Sequence, residues 1–198
     1  MRHLRTFSAL ARRNLPGLLA LALPSVVLAS GAPPAPVRLT PVTLAAGINP
    51  MPDIAGTGEA GSIAQLWRQN NKVRGQHVFL VKVGEATASF EGREQIEDRP
   101  DVGDDMIRSV RFARGEYRGV STLYILTASR DIGASTYEAA LTRIQSFALV
   151  RKGGAFTFAP VQDFPAKEKY CHADAALLAE LNFPLSPVYA GRVTPTGC

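Results

Sequence analysis

The sequence predicts a single α+β domain over residues 62–198, a mostly antiparallel sheet with two to three helices packed against it. Three observations carry that expectation. Runs rich in β-branched and aromatic residues follow one another in meander order, separated by turn residues. Segments with helical spacing interrupt those runs, but never in the strict strand-helix-strand alternation of a parallel sheet. A composition that is 46% hydrophobic and 20% charged excludes both wholesale disorder and a multi-span membrane protein.

The chain opens with a three-part export pattern over residues 1–29. Arg2, Arg5, Arg12 and Arg13 precede the apolar run Leu15–Ala29, and Val27-Leu28-Ala29 places acceptable groups at the two positions a signal peptidase reads. The run holds 15 residues and two prolines, short of the roughly 20 needed to span a bilayer. A cleavable signal is therefore expected, with cutting after Ala29 and no stable membrane span afterwards. Arg12-Arg13-Asn14-Leu15 also has the outline of a twin-arginine signal, so both export routes stay open. The signal accounts for most of the basic character. Removing its four arginines leaves 18 basic against 17 acidic residues, and a nearly neutral body gives no electrostatic footprint for nucleic acid.

Residues 30–61 carry eleven glycines and prolines and read as a linker or loose N-terminal arm. Ser62 then caps an expected helix through Asn70, with Ile63, Leu66 and Trp67 on one face. Gln76–Val83 is a strand, which Gly84-Glu85 turns back into Ala86–Phe90. Ile107–Ala113 fits a strand or a helix; strand is preferred because Arg114–Gly119 has the character of a hairpin tip. Val120–Ala128 is apolar on both faces and is the expected central strand. Ser135-Thr-Tyr-Glu138 has capping-box spacing ahead of a helical stripe through Tyr137, Leu141 and Ile144. Lys152-Gly-Gly154 marks a hairpin between Ser146–Arg151 and Ala155–Val161. Cys171–Leu181 is a helix burying Leu177, Leu178 and Leu181, and Val188–Val193 adds an edge strand.

Candidate chemistry is sparse. Past the signal only His77 and His172 remain, with no HExxH, CxxC or other paired metal spacing, so no metal site and no cofactor are expected. The acidic run Asp98–Asp105 lacks the spacing of a calcium loop. Cys171, His172 and Asp174 bring a thiol, a base and an acid together. Neighbouring helical residues point about 100° apart, however, and cannot easily address one reacting atom. Asp174 is better explained as a first-turn carboxylate facing a helix N-terminus. A charge switch is the most polarised feature: seven acids lie between residues 91 and 105, followed by Arg108, Arg111, Arg114 and Arg118. Such a run is either a solvated face or a docking strip, and Arg111, Arg114 and Arg118 are its candidate ligand- or partner-binding residues.

These features predict an exported protein, periplasmic or secreted, that acts as a non-catalytic binding or accessory protein of the cell envelope. Its expected partner is an envelope protein or an anionic ligand. The alternative is a small envelope hydrolase whose Ser/His/Asp or Cys/His site comes from distant segments, such as Ser129, Asp131 and His172. Export also places Cys171 and Cys198 where disulfides form. Joining them closes a loop worth about 3.6 kcal/mol in the chain-entropy account. Non-reducing peptide mapping should recover Cys171 linked to Cys198; two alkylatable thiols in the exported protein would remove the bond.

Overall fold

A computed structural model of the chain describes residues 38–70, 75–100, 106–131 and 138–186. The chain order is β1 (Thr40–Val42), β2 (Gly47–Met51), β3 (Gly61–Gln69), β4 (Gly75–Val83), β5 (Ala86–Thr87), β6 (Gln95–Glu97), β7 (Arg99–Pro100), β8 (Met106–Tyr117), β9 (Val120–Arg130), β10 (Ala140–Lys152), β11 (Ala155–Tyr170) and α1 (Ala173–Leu181). These elements form two antiparallel sheets. Sheet A runs β1-β8-β9-β10-β11, with β7 also pairing β8; sheet B runs β2-β3-β4-β5, with β6 also pairing β4.

The expected α+β class with two to three helices is therefore wrong. The protein is mostly antiparallel β-structure, with a single short helix among the described residues. The expected helix at 62–70 is strand β3. Ile63, Leu66 and Trp67 do satisfy a helical stripe, yet every residue from Gly61 to Gln69 has a register partner in β4. On a strand Ile63 faces the core, fully buried, whereas Leu66 points to the opposite face and Trp67 lies past the core's end; both are exposed. Local spacing could not report the partner strand that decided the matter.

The second expected helix fails for the same reason. Residues 135–137 of its capping box lie outside the described residues, but from Ala140 onward the chain is β10, paired on both sides. Leu141 and Ile144 then face opposite ways, one exposed and one buried. The third helix is present as α1. It buries Leu177, while Leu178 is exposed.

The arm expected over 30–61 belongs, from residue 38 on, to the same compact unit, Pro36–Cys198, as the rest of the described chain. Its prolines and glycines suit short edge strands and turns: β1 pairs β8, β2 pairs β3, and Ile54 between them is fully buried. Pro50 stands in edge strand β2, where a missing N–H discourages continuation of the sheet by another strand. The expected signal at 1–29, the edge strand at 188–193 and Cys198 all lie outside the described residues.

The core has two layers, one on each face of sheet A. Between the sheets, Ile63, Phe79, Val81 and Val83 meet Val110, Phe112, Leu123, Ile125, Phe147 and Leu149. On the other face, Tyr124, Leu126, Ala128, Ile144 and Ala148 pack against Ala173, Ala176 and Leu177 of α1 and against Phe183. Leu123 to Ala128 are all buried, as the two-sided apolar run of this central strand predicts. Two short segments stitch the sheets together. Residues 95–100 leave β4 as β6 and join β8 as β7, while Ser89 bridges to Thr157 of β11 with Ser89 N–H donating to the Phe156 carbonyl at 3.0 Å.

Both expected hairpins around sheet A form. Arg118 and Gly119, at φ 53° and 79°, turn β8 into β9, the all-positive backbone that matches strand twist. Gly153 and Gly154, at 58° and 87°, do the same between β10 and β11.

Tyr124 is fully buried beneath α1's layer, and its hydroxyl donates to the Glu116 carbonyl at 2.8 Å. Burial, with Tyr117 and Glu116 nearby, pushes its pKa up to about 12 from 10.0. A raised pKa favours the folded state fully below the unfolded value, and that contribution disappears as pH rises through the folded one. Stability should therefore fall between about pH 10 and 12. Denaturant titrations across that range should show a shallower fall for Tyr124→Phe, at a cost of about 1 kcal/mol near neutrality for the lost hydrogen bond.

Candidate functional site

Strand alternation separates the three arginines expected to form one strip. Arg111 lies on the helix-facing side of β8, and Arg114, three residues on, lies on the opposite side. Arg111 Nη1 contacts both carboxylate oxygens of Asp174, at 3.0 and 2.9 Å, and its guanidinium stacks over Phe183 at 5.3 Å. Arg114 instead donates to the carbonyls of Pro52 and Asp53, at 2.6 and 2.7 Å, and fastens the loop that carries Ile54. Arg118 sits in the hairpin turn over the Tyr117 ring. Two of the three are thus committed to holding the fold.

Asp174 is the centre of a buried polar cluster. It is fully buried and accepts from Ser109 Oγ at 2.7 Å, from Arg111, and from the Ser186 backbone N–H at 2.6 Å. His172 is the N-cap of α1: its Nδ1 accepts from the Asp174 backbone N–H at 3.2 Å. The first-turn placement of Asp174 matches expectation, but two of its partners, Ser109 and Arg111, come from a strand more than 60 residues away. Ser109, His172 and Asp174 are the three residue types of a hydrolytic triad, in the wrong connectivity. Asp174 binds the serine directly and is neutralised by Arg111, and no more than 5% of any of the three is exposed.

A second pair joins the sheets. His77 Nδ1 lies 2.9 Å from Asp98 Oδ2, and the His77 backbone N–H donates to Asp98 Oδ1 at 2.7 Å. Asp98 falls between β6 and β7, where the chain passes from sheet B to sheet A, so the pair anchors that crossing. Trp67 stands edge-on to the imidazole with ring centroids 5.0 Å apart.

An open cavity of about 510 Å³ lies elsewhere, at one end of β9, β10 and β11. It owes its shape to a bulge. Between the pairs Leu141↔Lys169 and Arg143↔Pro165, β11 spends three residues against one on β10, and such bulges bend a strand and re-aim its side chains. Leu141 and Phe164 supply apolar wall; Ser129, Asp131, Arg143 and Asp163 supply polar groups. Arg143 Nε and Nη2 each donate to a separate Asp163 oxygen at 2.6 Å, a fork that holds the carboxyl below its usual range.

The cavity therefore gathers Ser129 and Asp131 of the expected hydrolytic alternative, and His172 is not among its lining residues. Among the described residues no group of three or more His, Cys, Asp or Glu could hold a metal ion, and no helix is long and apolar enough to cross a membrane. Sequence reading missed Arg143 and Asp163. Each is an isolated charge on a long strand, and only the β10–β11 register brings them together.

Removing the fully buried Asp174 carboxylate leaves the half-buried Arg111 guanidinium without its counterion, a change that costs about 3–5 kcal/mol in comparable pairs. Asp174→Ala should show a loss of that size in urea denaturation. Arg118→Ala, at the exposed turn, should change stability by less than about 0.5 kcal/mol.

No protein-family model matches the chain, and no curated protein matches it. Among solved structures, the crystal structure of CarG aligns with 70% of this chain and 93% of its own, at a TM-score of 0.58 and 17% sequence identity. At that identity the likeness is one of fold: two chains of very different sequence build the same arrangement of strands.

Proposed function

We propose that this chain is an exported, non-catalytic binding or accessory protein of the cell envelope, periplasmic or secreted, and that the cavity at the β10–β11 bulge holds its ligand. One observation carries the reading. The cavity sets apolar surface from Leu141 and Phe164 beside an ion pair already satisfied within the protein, a combination suited to orienting a ligand. Proton transfer needs a group of suitable pKa within hydrogen-bond reach. Asp163 is held ionised by Arg143, and the imidazole of His172 is spent on capping α1. The export part of the proposal rests on the basic and apolar pattern of residues 1–29.

The hydrolase reading keeps one observation in its favour, that Ser129 and Asp131 share the cavity. Nuclear magnetic resonance of labelled protein titrated with the small-molecule fraction of an envelope extract separates the two. Shifts centred on Leu141, Arg143 and Asp163, lost in Arg143→Glu, are expected for a binding protein. Turnover of an ester or amide substrate that disappears in Ser129→Ala would establish the hydrolase instead. Mass spectrometry of the same envelope fraction should find an N-terminus near Ser30, and an intact Met1 in the soluble cytoplasm would end the export proposal.

A further inference from the structure

A second, more polar cavity opens where the chain passes from sheet B to sheet A. It has a volume of about 300 Å³ and shares no lining residue with the cavity at the β10–β11 bulge. Its walls are the turn at residues 90–93, the start of β8 and strand β6, which pairs only β4 among the described strands. The turn is tied at its base: Phe90 N–H donates to the Arg93 carbonyl at 2.7 Å and Arg93 N–H donates to the Phe90 carbonyl at 2.9 Å. Glu91 and Gly92 between them take φ of 51° and 76°, the all-positive pair that closes a tight hairpin. Phe90 and Ile96, both buried, back the cavity.

The carboxylates around this cavity are largely spent, whereas the guanidiniums are not. Arg68 Nη1 and Gln76 Nε2 each donate to a different oxygen of Glu97, both at 2.6 Å. Glu91 accepts one bond, from Arg108 Nη2 at 3.1 Å. Arg108 lies over the Phe90 ring at 5.7 Å, and its Nε is buried with no hydrogen-bond partner among the described residues. Native proteins seldom leave such a buried donor unused. Arg93 lines the same cavity, exposed and without an ion pair among the described residues. Arg99, equally exposed and unpaired, stands directly across from Arg108 in the β7–β8 register. Like charges directly opposite one another on a sheet are destabilising, and no hydrogen bond within the fold requires Arg99 or Arg93.

Three guanidiniums therefore converge on one corner with Glu91 as their single carboxylate partner, since Glu97 is balanced by Arg68. The surplus is two positive charges, matched by a phosphate group, which carries about −1.5 to −2 at neutral pH. A carboxylate would leave half of it unanswered. Guanidinium forks also fit the oxygens of a phosphate. We propose that this cavity binds a phosphate group, free or as a monoester, with Arg108 at its base and Arg93 and Arg99 at its rim. The site is additional to the one at the β10–β11 bulge, and neither depends on the other.

Nuclear magnetic resonance of arginine-labelled protein, purified after expression of the full chain, tests the proposal through the Arg108 Nε–H signal. Inorganic phosphate and phenyl phosphate should each shift that signal to saturation, and the tighter of the two identifies free ion or ester as the natural form. Acetate should bind more weakly than either. Arg93→Gln and Arg99→Gln, with unchanged thermal melts, should each weaken phosphate roughly tenfold, the scale of one hydrogen bond to a charged group. Glu91→Gln, which frees Arg108 from its competitor, should tighten it, a gain that damage to the fold would not produce. An Arg108 signal that never responds to phosphate would overturn the proposal. So would binding that Arg93→Gln and Arg99→Gln leave untouched, or acetate binding as tightly as phosphate.

Discussion

Everything in this structure depends on the need to cover sheet A twice. The central strand β9 is apolar on both faces from Leu123 to Ala128, and β8 and β10 carry the same burden beside it. A sheet of this kind cannot face water on either side, so sheet B and α1 are two answers to one requirement. Sheet B covers one face with Ile63, Phe79, Val81 and Val83. The helix covers the other with only nine residues, of which Ala173, Ala176 and Leu177 reach the core. Such a short helix has little stability of its own. It stays because Asp174 ties its first turn to Ser109 and Arg111 in β8, while Glu180 near its other end accepts from the Lys167 backbone N–H at 2.7 Å.

Polar groups are distributed by that constraint. Buried carboxylates are placed where two layers must be joined: Asp174 pairs with Arg111 between helix and sheet, and Asp98 bonds the His77 ring and backbone N–H where the chain passes between sheets. A buried ion pair adds little net stability over an apolar substitute, but a broken one is costly, so pairs in these places enforce a particular arrangement of layers. The exposed pair Arg143–Asp163 has no such duty, which is why it can line an open cavity. Bulging of β11 at Pro165, where a ladder hydrogen bond is already forfeited, makes room for that cavity.

Much of the strand order was legible without coordinates. The two-sided apolar run of β9, the Gly153-Gly154 hairpin and the strand at 76–83 were each visible because their signals are local: composition over a few residues, or a backbone that only certain residues adopt. The helix at 173–181 was legible too, though the prediction that Leu178 is buried came from counting leucines along a stripe with no knowledge of what it would face. The expected helices at 62–70 and 135–144 failed because a spacing of three and four residues also occurs in strands. The cost of choosing wrongly is decided by partners far away in sequence. The candidate site fared similarly. Ser129 and Asp131 were named as members of a possible site, whereas Arg143 and Asp163 gave no sign, being twenty residues apart on neighbouring strands.

The sequence by itself determined which segments must be buried and where the chain can turn, since hydrophobicity and backbone freedom are properties of residues taken a few at a time. Tertiary structure alone decided which face each side chain occupies and what it touches. Strand register places residues tens of positions apart within hydrogen-bonding distance, and a shift of one position reverses every face. The same rule sets the arginines of the expected strip on different faces. Arg111, Arg114 and Arg118 are close in sequence, yet a period of two sends the first to a buried aspartate, the second to the opposite side of the sheet and the third to a turn.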